Sequence, residues 1–349
     1  MTHDTTKPFR LGFLTHVHGA GRAPAQVYRD LVTVFQAAED LGFDGGWVAQ
    51  HHLRSDYGRL PSPPVLLAAV AERTTHIQLG TAVTVLPLEH PLRLAEDWSV
   101  LDALAGPRLQ LGLGTGGANI DAFDAFGAVA PADRHADFDD RLGVLRDALR
   151  GKPLGASSLV AQPTAPGLAD RLWQSTSDPD RARAVARSGD GLLLGTAVHD
   201  PLTAQKPLAD AYLDEWGRTQ TPGSPPPRIA ITRAVFPARN RQTAAIDLEP
   251  ALAIHRQGFA KHGYTELLDL STEEYLARIN VHYGSVDDVV ESIQADPALL
   301  GYADWFLPVV QHEVSSLADD IRRLEIIATE IAPALGWSAS GGRGRGVAA

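Results

Sequence analysis

The chain has 349 residues, with 31 Lys plus Arg against 42 Asp plus Glu, and its net charge of -11 argues against polyanionic partners such as nucleic acid or an anionic membrane surface. No cysteine occurs, so disulfides, thiolate metal sites and a cysteine nucleophile are excluded by inventory. The start, MTHDTTKPFRLGFL, has no signal-like apolar stretch, and no window approaches the roughly 18 uninterrupted apolar residues of a membrane span. The expectation is therefore a cytoplasmic protein, folded as one domain over residues 1–337, a length that α/β barrels reach.

Strand and helix signals alternate along the chain. Phe9–Thr15 is a short apolar run, and Val27–Leu41 then places Leu31, Val34, Phe35, Ala38 and Leu41 at helical spacing until Gly42 stops it. Gly46–Ala49 reads as a second strand, Pro64–Arg73 as a second helix and the β-branched Ile77–Leu86 as a third strand. Pro91 opens a helix to about Leu104, a residue suited to a first helical position. Leu109–Leu113 follows as strand four, after which a polar stretch and the helix Arg134–Leu149 read as an insertion. Leu172–Ser175, Gly191–Leu194, Arg228–Phe236 and Asp304–Val310 supply strands five to eight, with helices at Pro179–Arg187 and Leu317–Ile331. Eight strands, each followed by helix, predict a (β/α) eight-fold TIM barrel with insertions. Gly223–Pro227 reads as a surface loop, Pro237–Gln257 and Ser271–Tyr283 as insertions, and the glycine-rich Ser338–Ala349 as a disordered tail.

A parallel barrel gathers the carboxyl ends of its strands around one pocket, so the residues that close the strands are the candidates for chemistry. Gln50, His51 and His52 close strand two, and alternation turns one imidazole to the mouth and the other away. A histidine at the mouth can move a proton near neutral pH; the bland alternative is that both cap the strand. The turn Gly112–Asn119, with Gly114, Thr115 and Gly116, has the glycine spacing of a phosphate cradle, although the pattern alone favours an ordinary glycine turn and the dinucleotide fingerprint is incomplete. Ser175, Thr176 and Ser177 stand before a helix start at Pro179, where hydroxyls and free N–H groups suit a phosphate, or where Ser177 or Asp178 simply caps the helix. His16 and His18, two apart at the end of strand one, face one side of an extended chain and are candidate substrate contacts. They are also the starting point for a metal-dependent barrel hydrolase, but the later strand ends QSTSD, LLLGTAVHD and PVVQHE lack the histidine expected on strand five, so no metal is expected.

Taken together, AQHHL at residues 49–53, LGTAV at 79–83, LPLEHP at 86–91 and AEDWSVLDALAG at 95–106 resemble the bacterial luciferase-like family of flavin-dependent monooxygenases. The plan of that family can be laid on the chain from Arg10 to Leu335, most weakly in the middle third. The resemblance implies a luciferase-like barrel and an FMN-dependent enzyme that oxygenates a small organic substrate with reduced flavin from a separate flavin reductase. It implies that His51 is the active-site histidine, that Ala82–Val83 is a non-proline cis peptide beneath the flavin ring, and that Thr81 touches the ring edge. It further implies that Arg134 with Ser175, Thr176 and Ser177 holds the phosphate, and that two copies pair through the helices around strands two to four, with Leu94, Trp98 and Leu101 as the only independent support. Gly114 and Thr115 stand where luciferase has cysteine and arginine. Thr115 also resembles the deazaflavin-dependent branch of the superfamily, so a deazaflavin hydride-transfer enzyme stays open beside FMN, as does a non-catalytic flavin-binding subunit.

Overall fold

The computed structural model describes residues 9–19, 21–55, 58–128, 133–156, 158–221, 223–261 and 263–339. Ten parallel strands are formed: β1 Arg10–Thr15, β2 Gly45–Val48, β3 Gln78–Thr81, β4 Thr84–Val85, β5 Leu109–Gly114, β6 Leu172–Ser175, β7 Gly191–Leu194, β8 Ile229–Pro237, β9 Val281–Gly284 and β10 Trp305–Val309. Eight of them close into a barrel in the order β1-β2-β3-β5-β6-β7-β8-β10, with β10 pairing back onto β1. This is the luciferase-like TIM barrel that the alternation and the resemblance predicted.

The helices follow the strands: α1 Pro24–Asp40, α2 Pro63–Ala71, α3 Pro91–Ala105, α4 Arg134–Leu149, α5 Pro166–Ala169, α6 Pro179–Arg187, α7 Lys206–Thr219, α8 Arg241–Lys261, α9 Thr272–Arg278, α10 Val286–Gln294 and α11 Leu317–Ile326. Proline in the first turn of α1, α2, α3 and α6 presets φ where no N–H partner is needed. On α1 the buried stripe Val27, Leu31, Val34, Phe35 and Ala38 follows the helical period and covers the barrel. None of the helices among the described residues is long and apolar enough to cross a membrane.

Inside the barrel, Trp47, Trp173 and Trp305 pack edge to face, with ring centroids 5.5 Å and 6.0 Å apart from Trp47. Glycines on neighbouring strands make the room: a Cβ on Gly80 would lie 2.4 Å from the Trp47 ring, and one on Gly191 2.1 Å from that of Trp173. Leu14, Leu193, Ala230 and Leu307 complete this plug, and the partly buried Ala82, Val83 and Val309 lie on its upper surface.

Three features depart from the sequence reading. Ile77–Leu86 is not one strand: β3 stops at Thr81, the Ala82–Val83 peptide is cis, and only Thr84–Val85 resumes pairing, now with β5. The stretch Ser271–Tyr283 yields helix α9 and most of an extra strand, β9, which pairs with the far half of the nine-residue β8. Leu94, Trp98 and Leu101 are almost wholly buried in this chain's own core, so they give no support to a dimer. Of the tail, residues 340–349 lie outside the described residues, whereas Ala339 packs against the turn at Gly42.

Candidate active site

All eight barrel strands point their carboxyl ends at one rim, so neighbours on the rim follow the strand order. On the β10-β1-β2 side the rim is built of histidine. β1 ends at Thr15, and Val17 then takes a positive φ of 59°, so His16 and His18 are not on one face of an extended strand. The turn itself brings their rings to 5.9 Å, and His16 lies 5.7 Å from His51. His52 points elsewhere, stacking edge-on to Phe126 at 4.6 Å, so the expected divergence of the two adjacent imidazoles is found.

Two residues that the sequence reading did not assign join this group. His255, from α8, lies within electrostatic reach of His16 and His18, with Nδ1 3.0 Å from the Tyr275 hydroxyl and its ring edge-on to Phe259 at 4.8 Å. His312 follows β10, and its Nε2 lies 3.0 Å from Nη2 of Arg323. Burial lowers the pKa of His16, His255 and His312 to about 4 each and that of His18 well below its usual value, so at neutral pH these imidazoles are uncharged. Beneath them runs a polar network. Thr15 Oγ1 and the His18 N–H both donate to Gln311 Oε1, at 2.7 Å and 2.9 Å, and Gln311 passes the connection to Asp320. Arg323 donates to Asp320, Ser315 and the Val310 carbonyl. Burial raises the Glu313 carboxyl to about 7 and Asp320 to about 6, which makes the first of them a proton carrier near neutrality.

At the β2-β3 side Gln50 is the organiser. Its backbone N–H donates to the Val83 carbonyl, its Oε1 accepts from the Val85 N–H at 2.7 Å, and its Nε2 reaches Pro61 O and Glu89. Asn119, buried, accepts from the His52 N–H and so ties the β5 loop to the same corner. The cis peptide Ala82–Val83 is where the resemblance placed it, half-buried on the plug. Thr81 is not a surface for a ring edge. It is fully buried, and its hydroxyl both donates to the Gly112 carbonyl and accepts from the Gly112 N–H, which stitches β3 to β5.

The β5-β6 side is more open and more charged. A Cβ on Gly114 would meet Val83 at 2.5 Å, and one on Gly116, at φ 80°, would meet Val85 at 2.5 Å. Close packing therefore explains both glycines without a phosphate; between them Thr115 is half-exposed. Arg134 opens α4, and His135 feels Arg134, Arg181, Asp139 and Asp178, which puts the first turns of α4 and α6 side by side. Ser175 and Thr176 are half-buried and Ser177 exposed at this junction. Of the two capping candidates Asp178 is the cap: it accepts from the N–H groups of Asp180 and Arg181, while the Asp178 N–H donates to Thr176 Oγ1. Arg181 is held by Asp139 in a two-pronged pair.

Among the described residues no group of three or more His, Cys, Asp or Glu is arranged to hold a metal ion. Two open grooves, one along α8 at Arg256 and one at His282 and Asp296, are lined by none of His16, His18, His51, His255 or His312, so the strand ends locate the site.

Comparison with known proteins agrees with this geometry. The chain is 32% identical over 216 residues to the uncharacterized protein y4wF of Sinorhizobium fredii, covering 59% of this chain and 60% of that one. It is 35% identical over 140 residues to the 4-hydroxyprotoasukamycin monooxygenase of Streptomyces nodosus subsp. asukaensis, covering 40% and 37%. The chain thus spans less than two thirds of the curated relatives it matches. The fold superposes on monooxygenase RslO1 from Streptomyces bottropensis with a TM-score of 0.81 at 21% identity, over 93% of this chain and 99% of that one. It also superposes on the oxygenating constituent of 3,6-diketocamphane monooxygenase from Pseudomonas putida in complex with FMN, at TM-score 0.72 and 20% identity over 93% and 98%. An F420-dependent secondary alcohol dehydrogenase matches at 0.70 and 14% identity, over 94% and 99%. The family model for luciferase-like monooxygenases matches residues 9–303, and the chain belongs to that family.

Proposed function

We propose that this chain is an FMN-dependent monooxygenase, using reduced flavin delivered by a separate flavin reductase to oxygenate a small organic substrate. The observation that carries the reading is the sequence of surfaces along the rim. His51 follows Gln50, whose N–H bonds the Val83 carbonyl of the apolar floor at Ala82–Val83, and Ser175, Thr176 and Ser177, beside Arg134, lie two strands on from β3 in the order β3-β5-β6. Two strand spacings are roughly 10 Å, a distance that a ribityl chain spans between a flavin ring and its phosphate. Bound reduced flavin would supply the two electrons with which O2 is activated. The chain would hold the ring on the floor, keep water from the buried histidine side and move a proton at the His51 imidazole.

A deazaflavin coenzyme is the second reading, favoured by the half-exposed Thr115. Its longer anionic tail asks for more cations than this stretch of rim has to offer, since Arg181 is already paired with Asp139. For the homodimer, the exposed Val65 on α2, Val100 and Leu104 on α3 and Val144 on α4 replace the buried residues as the surface for a second copy. Titration of the purified protein with FMN and with reduced FMN, followed by flavin fluorescence and absorbance, tests the cofactor. Saturable binding of either redox form is expected, and no response to either beside tight binding of the deazaflavin coenzyme would overturn the FMN reading. Sedimentation at micromolar concentration tests the dimer, which a monomer would exclude.

A further inference from the structure

Arg323 is buried against His312, and a guanidinium only donates, so the lone pair that faces it belongs to His312 Nε2. The proton of this neutral ring then sits on Nδ1. That nitrogen is buried and has no hydrogen-bond partner among the described residues, in a side chain that is only 9% exposed. A buried N–H left unpaired loses its hydration without compensation, and a ligand acceptor would remove that cost. Around it the walls are aromatic: Phe236 meets the His312 ring edge-on at 5.6 Å, and across the cluster His255 is flanked by Phe259 and Tyr275.

We propose that His312 is a substrate-binding residue, whose Nδ1–H donates to the carbonyl oxygen of a neutral aromatic substrate. The inference rests on the oxidoreductase reading of this rim and adds the class of substrate. A carbonyl offers the lone pair that Nδ1–H lacks, and a flat ring suits the Phe236 wall. A carboxylate does not fit. The imidazoles here carry no charge at neutral pH, and the nearby cation, Arg323, is already shared among Asp320, Ser315 and Val310, so a carboxylate would be buried without a counterion. Arg323 acts through His312 as a positioning residue, because it fixes which ring nitrogen bears the proton.

Three bicyclic probes of similar shape separate the possibilities: 1-tetralone, tetralin and 1-naphthoate, titrated into the full-length protein with and without FMN by calorimetry. 1-Tetralone should bind at least about tenfold tighter than tetralin, the range of one buried hydrogen bond, and 1-naphthoate should bind weakest. His312→Phe should erase the tetralone advantage and leave tetralin unchanged, whereas His312→Asn, whose amide N–H can stand near the Nδ1 position, should restore part of it. In protein with 15N-labelled histidine, the Nδ1–H signal of His312 should shift with 1-tetralone and not with tetralin. Equal affinity for tetralone and tetralin, tightest binding of naphthoate, a tetralone preference that survives His312→Phe, or no binding of any probe would each overturn the proposal. The readout needs no turnover. Tetralone selectivity without FMN binding would therefore remove the monooxygenase reading and leave this one standing.

Discussion

The two halves of the barrel rim are built on opposite electrostatic principles. At the ends of β10 and β1 the rim carries imidazoles that burial has made weak bases, backed by the Gln311–Asp320–Arg323 network, with His51 beside them after β2. From β5 to β6 the rim is half-exposed and charged, with Arg134, Arg181 and Asp178 at the meeting of two helix N-termini. A neutral, water-poor region favours proton movement and recognition of uncharged groups, while an exposed cation beside hydroxyls suits a phosphate without burying its charge. The Ala82–Val83 step separates the two, and Gln50 fixes it from the histidine side. Such a division suits one elongated cofactor with its reactive end on one side and its anionic end on the other.

The sharpest way to break the comparison is to remove the imidazole at its centre. His51→Ala should lower product formation by ~100 to 10,000-fold, the range for lost general acid–base help, with FMN affinity changed no more than a few fold. Reduced flavin should then be consumed with release of hydrogen peroxide, measured by oxygen uptake against product. Normal turnover in this variant would reduce His51 to a strand cap.

A second test asks whether the histidine side is as desolvated as its geometry implies. Glu313, raised by burial to about 7 from an ordinary 4.5, binds its proton more tightly folded than unfolded. Wild-type stability therefore falls as the pH rises from about 4.5 through 7 on account of this group. Glu313→Gln removes that loss, so its stability relative to wild type should rise by about 3 kcal/mol between pH 5 and pH 8. Urea unfolding at the two pH values measures the difference, and parallel pH dependence of the two proteins would mean that water reaches Glu313.

On the charged side the effect should be smaller and confined to binding. Arg134→Ala should weaken FMN by about tenfold to a hundredfold, the worth of one charge-assisted hydrogen bond, while riboflavin, which has no phosphate, should bind both proteins alike. Equal loss for riboflavin and FMN would show that Arg134 acts on the fold of α4 instead. The smallest effect belongs to His52, which turns from the mouth toward Phe126. His52→Ala should cost about 1–2 kcal/mol of stability through the lost ring contact and leave turnover within about twofold, measured by thermal melting and steady-state assay. A turnover loss comparable to that of His51→Ala would erase the distinction between the two adjacent histidines.

Periodicity alone determined the barrel. Apolar strands and amphipathic helices alternate in sequence because each must bury one face against the next, and helices such as Arg134–Leu149, from its spacing, and Pro179–Arg187, from its spacing and its cap, fall where expected. His51 and His52 do diverge as expected, but β2 ends at Val48, so the loop beyond the strand and not alternation along it turns them apart. What local pattern misjudged were features set by partners far along the chain. Gly114 and Gly116 have the spacing of an anion cradle, yet Val83 and Val85 fill the space that a side chain would need. The resemblance, rather than any local pattern, put Thr81 at a ring edge, yet β5 takes up its hydroxyl. His255 lay inside a stretch with no readable chemistry, and His312 stood in the strand end PVVQHE without an assigned role. Barrel closure brings strand β10 beside strand β1 and lays α8 across their ends, so histidines nearly three hundred positions apart in sequence share one desolvated environment. Their proton affinity comes from that shared burial, a property of the assembled rim that no segment carries on its own.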